Sequence, residues 1–226
     1  MSKPFKSLEL EYLSLFNSLQ IRSDKLDMLK WYRDKLLANR SVYESVAIKM
    51  NIPWYIIGAI HGRECSFNLS KCLHNGEPWD RKTTKVPAGR GPFDSFEESC
   101  IDALIYDGLA YVKDWTLARC LYECEKYNGF GYRNKHSEVL SPYLWAGSYH
   151  YQAGCYATDG RFSPKYIDDT IGVAVLIKDL ANRGIITLSE YNTESQPAEL
   201  PKKEVSKAPL PRPSILSRLR SWLSRH

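Results

Sequence analysis

The chain lacks any continuous apolar run of about 20 residues, the length a membrane-spanning helix needs. Its opening stretch, MSKPFKSLELEYLSLF, has neither the unbroken apolar segment nor the small-residue cleavage site of a secretory signal. Synthesis in the cytoplasm without a signal peptide is therefore the expectation. Six cysteines are present but none forms a CxxC pair, which argues against a zinc ribbon or a thioredoxin-type centre. Cys65 and Cys72 would be too far apart on a continuous helix to bond, and Cys120 and Cys124 sit one helical turn apart. Buried free thiols are expected. No HExxH or similar spacing accompanies His61 or His74, so neither a metal nor a cofactor is expected.

Excess charge is missing from the body of the chain. Residues 195–226 hold seven Lys/Arg against two Asp/Glu, which accounts for the whole net charge of +5. A nucleic-acid-binding fold carries its basic patch on the domain itself, so nucleic acid is not an expected partner.

What is present is an ordinary globular composition, 43% hydrophobic and 25% charged over 226 residues, enough for one packed domain with an appendage. Ser23 and Asp24 can cap a helix to about residue 39, with Leu26, Leu29, Leu36 and Leu37 near one face. Ser41 can start a short helix that ends before Asn51. Pro53 suits the first turn of the next, since its missing N–H would go unpaired there in any case. Ser95 followed by Glu98 is a capping-box signal for a helix to about Tyr106. Further helices are expected over 116–127 and near Pro164–Leu180, the latter burying Ile167, Ile171, Val175 and Leu176 or Ile177.

Between these lie turn-rich segments. Residues 74–94, HNGEPWDRKTTKVPAGRGPFD, carry three Pro and three Gly and cannot form a long helix. Within them 81–86 reads as a short strand or hairpin arm. The predicted fold is mainly α, of an α+β kind: a helical domain over 1–192, with the N-terminal helices 1–50 packed on it. A small β-hairpin or loop lobe stands beside a cleft. Residues 193–213 hold five prolines and read as an extended linker. In 214–226, Ile215, Leu216, Leu219, Trp222 and Leu223 share one helical face, with Arg218 and Arg220 beside it. Such a basic amphipathic helix suits an anionic membrane surface, or docking on protein.

The chemistry concentrates on IPWYIIGAIHGRECSFN, residues 52–68, where Glu64 is the one carboxylate in an apolar helix. An acid held against apolar walls keeps its proton more readily, as a glycosidase proton donor must. Cleavage by inversion adds a second carboxylate that activates water. Glu77, on the loop that follows, is the candidate, with Asp80 nearby and Thr83 and Thr84 as water-holding hydroxyls. Tyr127, Tyr132, Tyr143, Trp145, Tyr149 and Tyr151 offer rings with polar edges of the kind that bind sugars, and Asn128 a polar amide beside them.

In order along the chain, IPWYIIGAIHGRECSFN, LHNGEPWDRKTTKVPAGRG, EKYNGFGYR and SPYLWAGSYHYQAGCYATDGRFSP resemble a lysozyme family of bacteria and their phages, the endolysins. That family belongs with the lysozyme-like superfamily of goose-type lysozymes and lytic transglycosylases. The resemblance covers about residues 40–182 and implies a muramidase that cuts the β-1,4 bond between N-acetylmuramic acid and N-acetylglucosamine in peptidoglycan. A monomer is expected. It maps the general acid onto Glu64, and a water-orienting threonine onto Thr83. Glu77 takes the place of an aspartate in the family's HNGDP loop. Tyr127 and Asn128 fall on the segment lining the sugar groove. It further implies action on the cell wall after holin-type or virion-associated delivery. The linker and tail lie outside it; the tail is similar to the cationic amphipathic ends by which some phage endolysins reach an outer membrane. The alternatives are a lytic transglycosylase forming 1,6-anhydro products, or a module that binds glycan or membrane without cutting.

Overall fold

A computed structural model describes residues 3–158 and 161–188. The linker and tail, with Ile215, Leu216, Arg218, Leu219, Arg220, Trp222 and Leu223, lie outside the described residues. Among those described, the protein is mainly helical with one small antiparallel sheet of two strands. No helix among them is long and apolar enough to cross a membrane. The chain forms two compact units: residues 3–33 with 118–186, and residues 34–117.

The second unit holds α3 (Arg40–Met50), α4 (Trp54–Cys65) and α5 (Phe96–Tyr106), and receives the end of α2 (Leu26–Ala38). Helix α3 ends where Asn51 turns left-handed, at φ 52°. Pro53 then caps α4 with its carbonyl, which accepts the Ile56 N–H at 2.9 Å. Every residue of α4 is buried, the condition of a helix that runs through a core instead of lying on it. Two glycines allow its neighbours to approach. A Cβ on Gly58 would stand 2.6 Å from the Leu36 side chain, and one on Gly62 2.4 Å from the Phe67 ring. Helices α3 and α5 pack together, and α3 packs on α4. Ser95 caps α5 as expected, its hydroxyl accepting the Glu98 N–H at 3.2 Å.

The first unit contains α1 (Glu9–Asn17), the start of α2, α6 (Leu117–Asn128), two short helices α7 (Gly131–Lys135) and α8 (Pro142–Trp145), and α9 (Val173–Asn182). Its sheet pairs β1 (Cys155–Thr158) with β2 (Arg161–Ser163). Inside it the Glu125 carboxylate accepts from the Tyr12 hydroxyl at 2.6 Å and pairs with Arg133 at 2.9 Å, while Arg133 also reaches Glu11 at 2.7 Å. Burial pushes the Glu125 carboxyl above its usual range, against the pull of Arg133 and the Tyr12 hydrogen bond.

Three expectations about elements are corrected. The sheet falls at 155–163, and residues 81–86 form no strand; the only ladder contact of their loop is an isolated bridge between Lys71 and Pro78. The last helix begins at Val173, not Pro164, and Ile167 is 56% exposed. Its start is set by Gly172, where a Cβ would fall 2.2 Å from the Leu144 carbonyl oxygen and where the N–H donates to Ala146 O at 2.8 Å. The opening Leu26 of α2 is exposed, and the buried stripe runs through Leu29, Tyr32 and Leu36.

Candidate active site

Glu64 sits on the last turn of α4 and is buried, 7% exposed. The helix end around it is closed by local structure. Ser66 and Phe67 both turn left-handed, at φ 50° and 61°, and Phe67 folds its ring against Gly62. The Asn39 amide donates to the Phe67 carbonyl at 3.2 Å. His61, one turn before Glu64, bridges the Tyr43 hydroxyl at 2.8 Å and the Asn68 carbonyl at 3.1 Å. Burial lowers its pKa to about 4 despite the Asn68 hydrogen bond, so the ring is neutral at neutral pH and acts as a tie between α3, α4 and the segment beyond.

The chain then doubles back onto this helix end. The Cys65 thiol donates to the Cys72 carbonyl at 3.2 Å, the Cys72 N–H to Glu77 O at 2.7 Å, and the Gly76 N–H to Cys72 O at 3.0 Å. The expectation that Cys65 and Cys72 stand apart assumed a continuous helix. The helix stops at Cys65, and the return of the chain brings them together. Both are free thiols, as are the other four cysteines, all buried. Gly76, at φ 74°, lies close enough to α4 that a Cβ there would be 3.4 Å from the Glu64 carbonyl oxygen. The hairpin that carries Glu77 therefore lies against the backbone of Glu64.

Glu77 is half-buried, and its carboxylate is held on both oxygens. Oε1 accepts the Thr84 hydroxyl at 2.7 Å, and Oε2 accepts the N–H groups of Thr84 at 3.1 Å and Lys85 at 2.9 Å. Burial disfavours its charge, but the Lys85 and Thr84 donors outweigh that and keep the carboxyl below the usual glutamate range. Thr83 closes the loop, in place of the water-orienting role expected of it. It is buried, and its hydroxyl donates to Pro87 O at 2.6 Å and accepts the Arg90 N–H at 3.0 Å. Its one proton is thereby committed. Asp80 is exposed and pairs with Arg81 at 3.2 Å.

Asn75, Asp102 and Arg90 also build this loop, and no motif or periodicity in the sequence singles them out. Asn75, almost fully buried, accepts the Glu77 N–H at 3.1 Å and donates to Lys85 O at 3.0 Å. An Asn two residues before the carboxylate is a turn signal that could have pointed to it. Asp102 on α5 accepts from His74 at 2.7 Å and from Arg90 Nε at 2.9 Å, with a second, shorter contact to Arg90 Nη2. Burial opposes its charge, and the His74 and Arg90 hydrogen bonds win, so its carboxyl lies below the ordinary range. The signal for Asp102 was its place as the lone charge in CIDALIY; nothing in the sequence points to its partners.

The proposed sugar-binding aromatics belong to the first unit, and most are core. Trp145 is 0% exposed, and Tyr127, Tyr132 and Tyr143 are also buried. A ring with no open face cannot lie against a sugar, so these four pack their unit instead. Tyr151 is buried too and accepts the Asp168 N–H at 2.8 Å. Asn128 is half-buried, and Tyr149 at 57% exposure is open to solvent.

The described residues thus present a buried helix-end carboxyl and a clamped, ionised carboxylate on a hairpin laid over that end. The chain matches no family model, no curated protein and no solved structure.

Proposed function

We propose that the protein is a peptidoglycan muramidase in which Glu64 is the general acid. The observation that carries this reading is a buried acid on a core helix with an ionised carboxylate on the hairpin that lies against the acid's own backbone. In a glycosidase the first protonates the departing glycosidic oxygen, and the second takes a proton from the water that attacks the anomeric carbon. Glu77 has acceptor capacity for that water, since three donors leave part of a carboxylate's roughly four lone-pair sites open. The sequence resemblance to endolysins supplies the substrate: the β-1,4 bond between N-acetylmuramic acid and N-acetylglucosamine. The protein would work as a monomer, reaching the wall by a holin-type or virion-associated route. The basic tail 214–226 would engage an anionic membrane.

A second reading rests on the same clamp. If the hydrogen bonds to Glu77 serve only to brace the loop, Glu64 alone suffices. The 6-hydroxyl of the muramic residue then attacks in place of water, as in a lytic transglycosylase. Mass spectrometry of the products from purified peptidoglycan separates the two. Hydrolysis leaves reducing muramic ends, and transglycosylation leaves 1,6-anhydro ends lighter by one water. Intact glycan after prolonged incubation would refute both.

A further inference from the structure

We propose that Thr84 is a positioning residue for the second carboxylate: its hydroxyl, with the Thr84 and Lys85 N–H groups, fixes the Glu77 carboxylate on the hairpin that covers the Glu64 helix end. The inference rests on the muramidase reading and deepens it by naming what sets the state of the base. From the sequence Thr84 is only a water-holding hydroxyl beside Thr83, and the family resemblance puts the water-orienting role on Thr83.

The geometry separates the two threonines. Thr83 faces inward and spends its hydroxyl on Pro87 and Arg90. It also pairs with Arg90 O through its N–H at 2.9 Å and receives the Gly89 N–H at 2.8 Å. These bonds make the 83–90 loop a closed frame. Thr84 is exposed and turns its hydroxyl onto Glu77 Oε1 at 2.7 Å. The frame thus presents two successive N–H groups and one hydroxyl to a single carboxylate. Asn75 holds the other side, accepting the Glu77 N–H while its amide donates to the Lys85 carbonyl. The carboxylate is thereby locked between two loops that are each tied down independently.

A carboxylate held by donors stays ionised to lower pH, as a general base must to accept a proton. Lys85 lies across the loop and favours the charge, and the Cys72 thiol stays protonated because burial raises its pKa. Glu64 lies on the helix end that the hairpin touches. Removing the Thr84 hydroxyl takes away one donor and leaves both backbone donors, so the carboxyl should move upward without losing its place.

The test compares Thr84→Val with Thr84→Ser on purified peptidoglycan over a pH range, with thermal melts to establish that both fold. Thr84→Val should lower kcat/KM by about tenfold at the acidic end, the scale of one hydrogen bond to a charged group. Its acidic limb should move to higher pH, and Thr84→Ser should restore the wild-type limb. A Thr84→Val profile that superimposes on wild type, or a Thr84→Ser profile as impaired as Thr84→Val, overturns the proposal. Carbon-13 NMR titration of the Glu77 carboxyl tests it independently of turnover: the midpoint should rise in Thr84→Val and return in Thr84→Ser. If the midpoint moves but Glu77→Gln cleaves at the wild-type rate, the clamp stands and the assignment of Glu77 as base falls.

Discussion

Gly62→Ala tests whether the end of α4 is built as described. In an exposed helix this change would stabilise by about 1 kcal/mol, because alanine has the better helix propensity. Here the new methyl would lie 2.4, 2.8 and 2.9 Å from three atoms of the Phe67 ring. All three distances are inside van der Waals contact. The ring has little room to yield, since it is buried and its own backbone is pinned at φ 61° with the carbonyl held by Asn39. Three contacts this short put the overpacking cost in the upper part of the usual range, about 2–3 kcal/mol, so after the helix-propensity gain the net expectation is a loss of about 1–2 kcal/mol. In a chain of this size that is a fall in Tm of roughly 2–8 °C. Urea denaturation gives the free energy directly. Gly131→Ala is the control, because its methyl would meet only Tyr156 at 3.6 Å or more, an ordinary contact. Phe67→Leu in the Gly62→Ala background should recover part of the loss by vacating the ring edge. Because Phe67 follows Glu64 by three residues, cell-wall clearing should fall in Gly62→Ala beyond what unfolding explains. A Gly62→Ala protein as stable as wild type would refute the description of this helix end.

His61 is held neutral with a pKa near 4, below its unfolded value of about 6.5, so the unfolded chain binds the extra proton as pH falls through that window. Stability should be complete above about pH 6.5 and decline toward pH 4, by up to about 3 kcal/mol for this one group. His61→Gln, which cannot titrate, should flatten that part of a denaturation-versus-pH curve; an unchanged slope would clear His61 of the effect. Removal of residues 214–226 should leave activity on purified peptidoglycan intact and reduce lysis of cells bearing an outer membrane. Equal loss in both assays would show that the tail belongs to the folded enzyme.

Local signals in the chain were legible wherever a single turn of backbone decides the outcome. Ser95 with Glu98, Pro53 and Asn51 mark helix ends because the unpaired N–H and C=O groups there must be met by neighbours in sequence. Legibility failed where distant chain decides. The apolar spacing of Ile167 and Ile171 looked helical, but the start of α9 is set by the fit of Gly172 against Leu144, a contact between segments 28 residues apart in number. Trp145 and Tyr143 carry the same chemistry whether they line a groove or fill a core, and only packing distinguishes the two. Thr83 and Thr84 are identical in type and adjacent, so their opposite directions follow from loop closure alone. His74, Asp102 and Arg90 meet from three places in the chain, and no spacing rule unites them. Glu64 stood out because its contrast with an apolar helix is local, and burial of the whole helix preserves that contrast in the structure.

The most direct test of the account is the rate of glycosidic cleavage of purified peptidoglycan by Glu64→Gln, measured beside wild type with both proteins shown to be folded. Glutamine keeps the size of the side chain and removes the transferable proton. A loss of about 100-fold or more is expected, the scale of a general acid's contribution. Cleavage by Glu64→Gln at the wild-type rate would contradict the assignment of Glu64 as the proton donor, and with it the proposed mechanism.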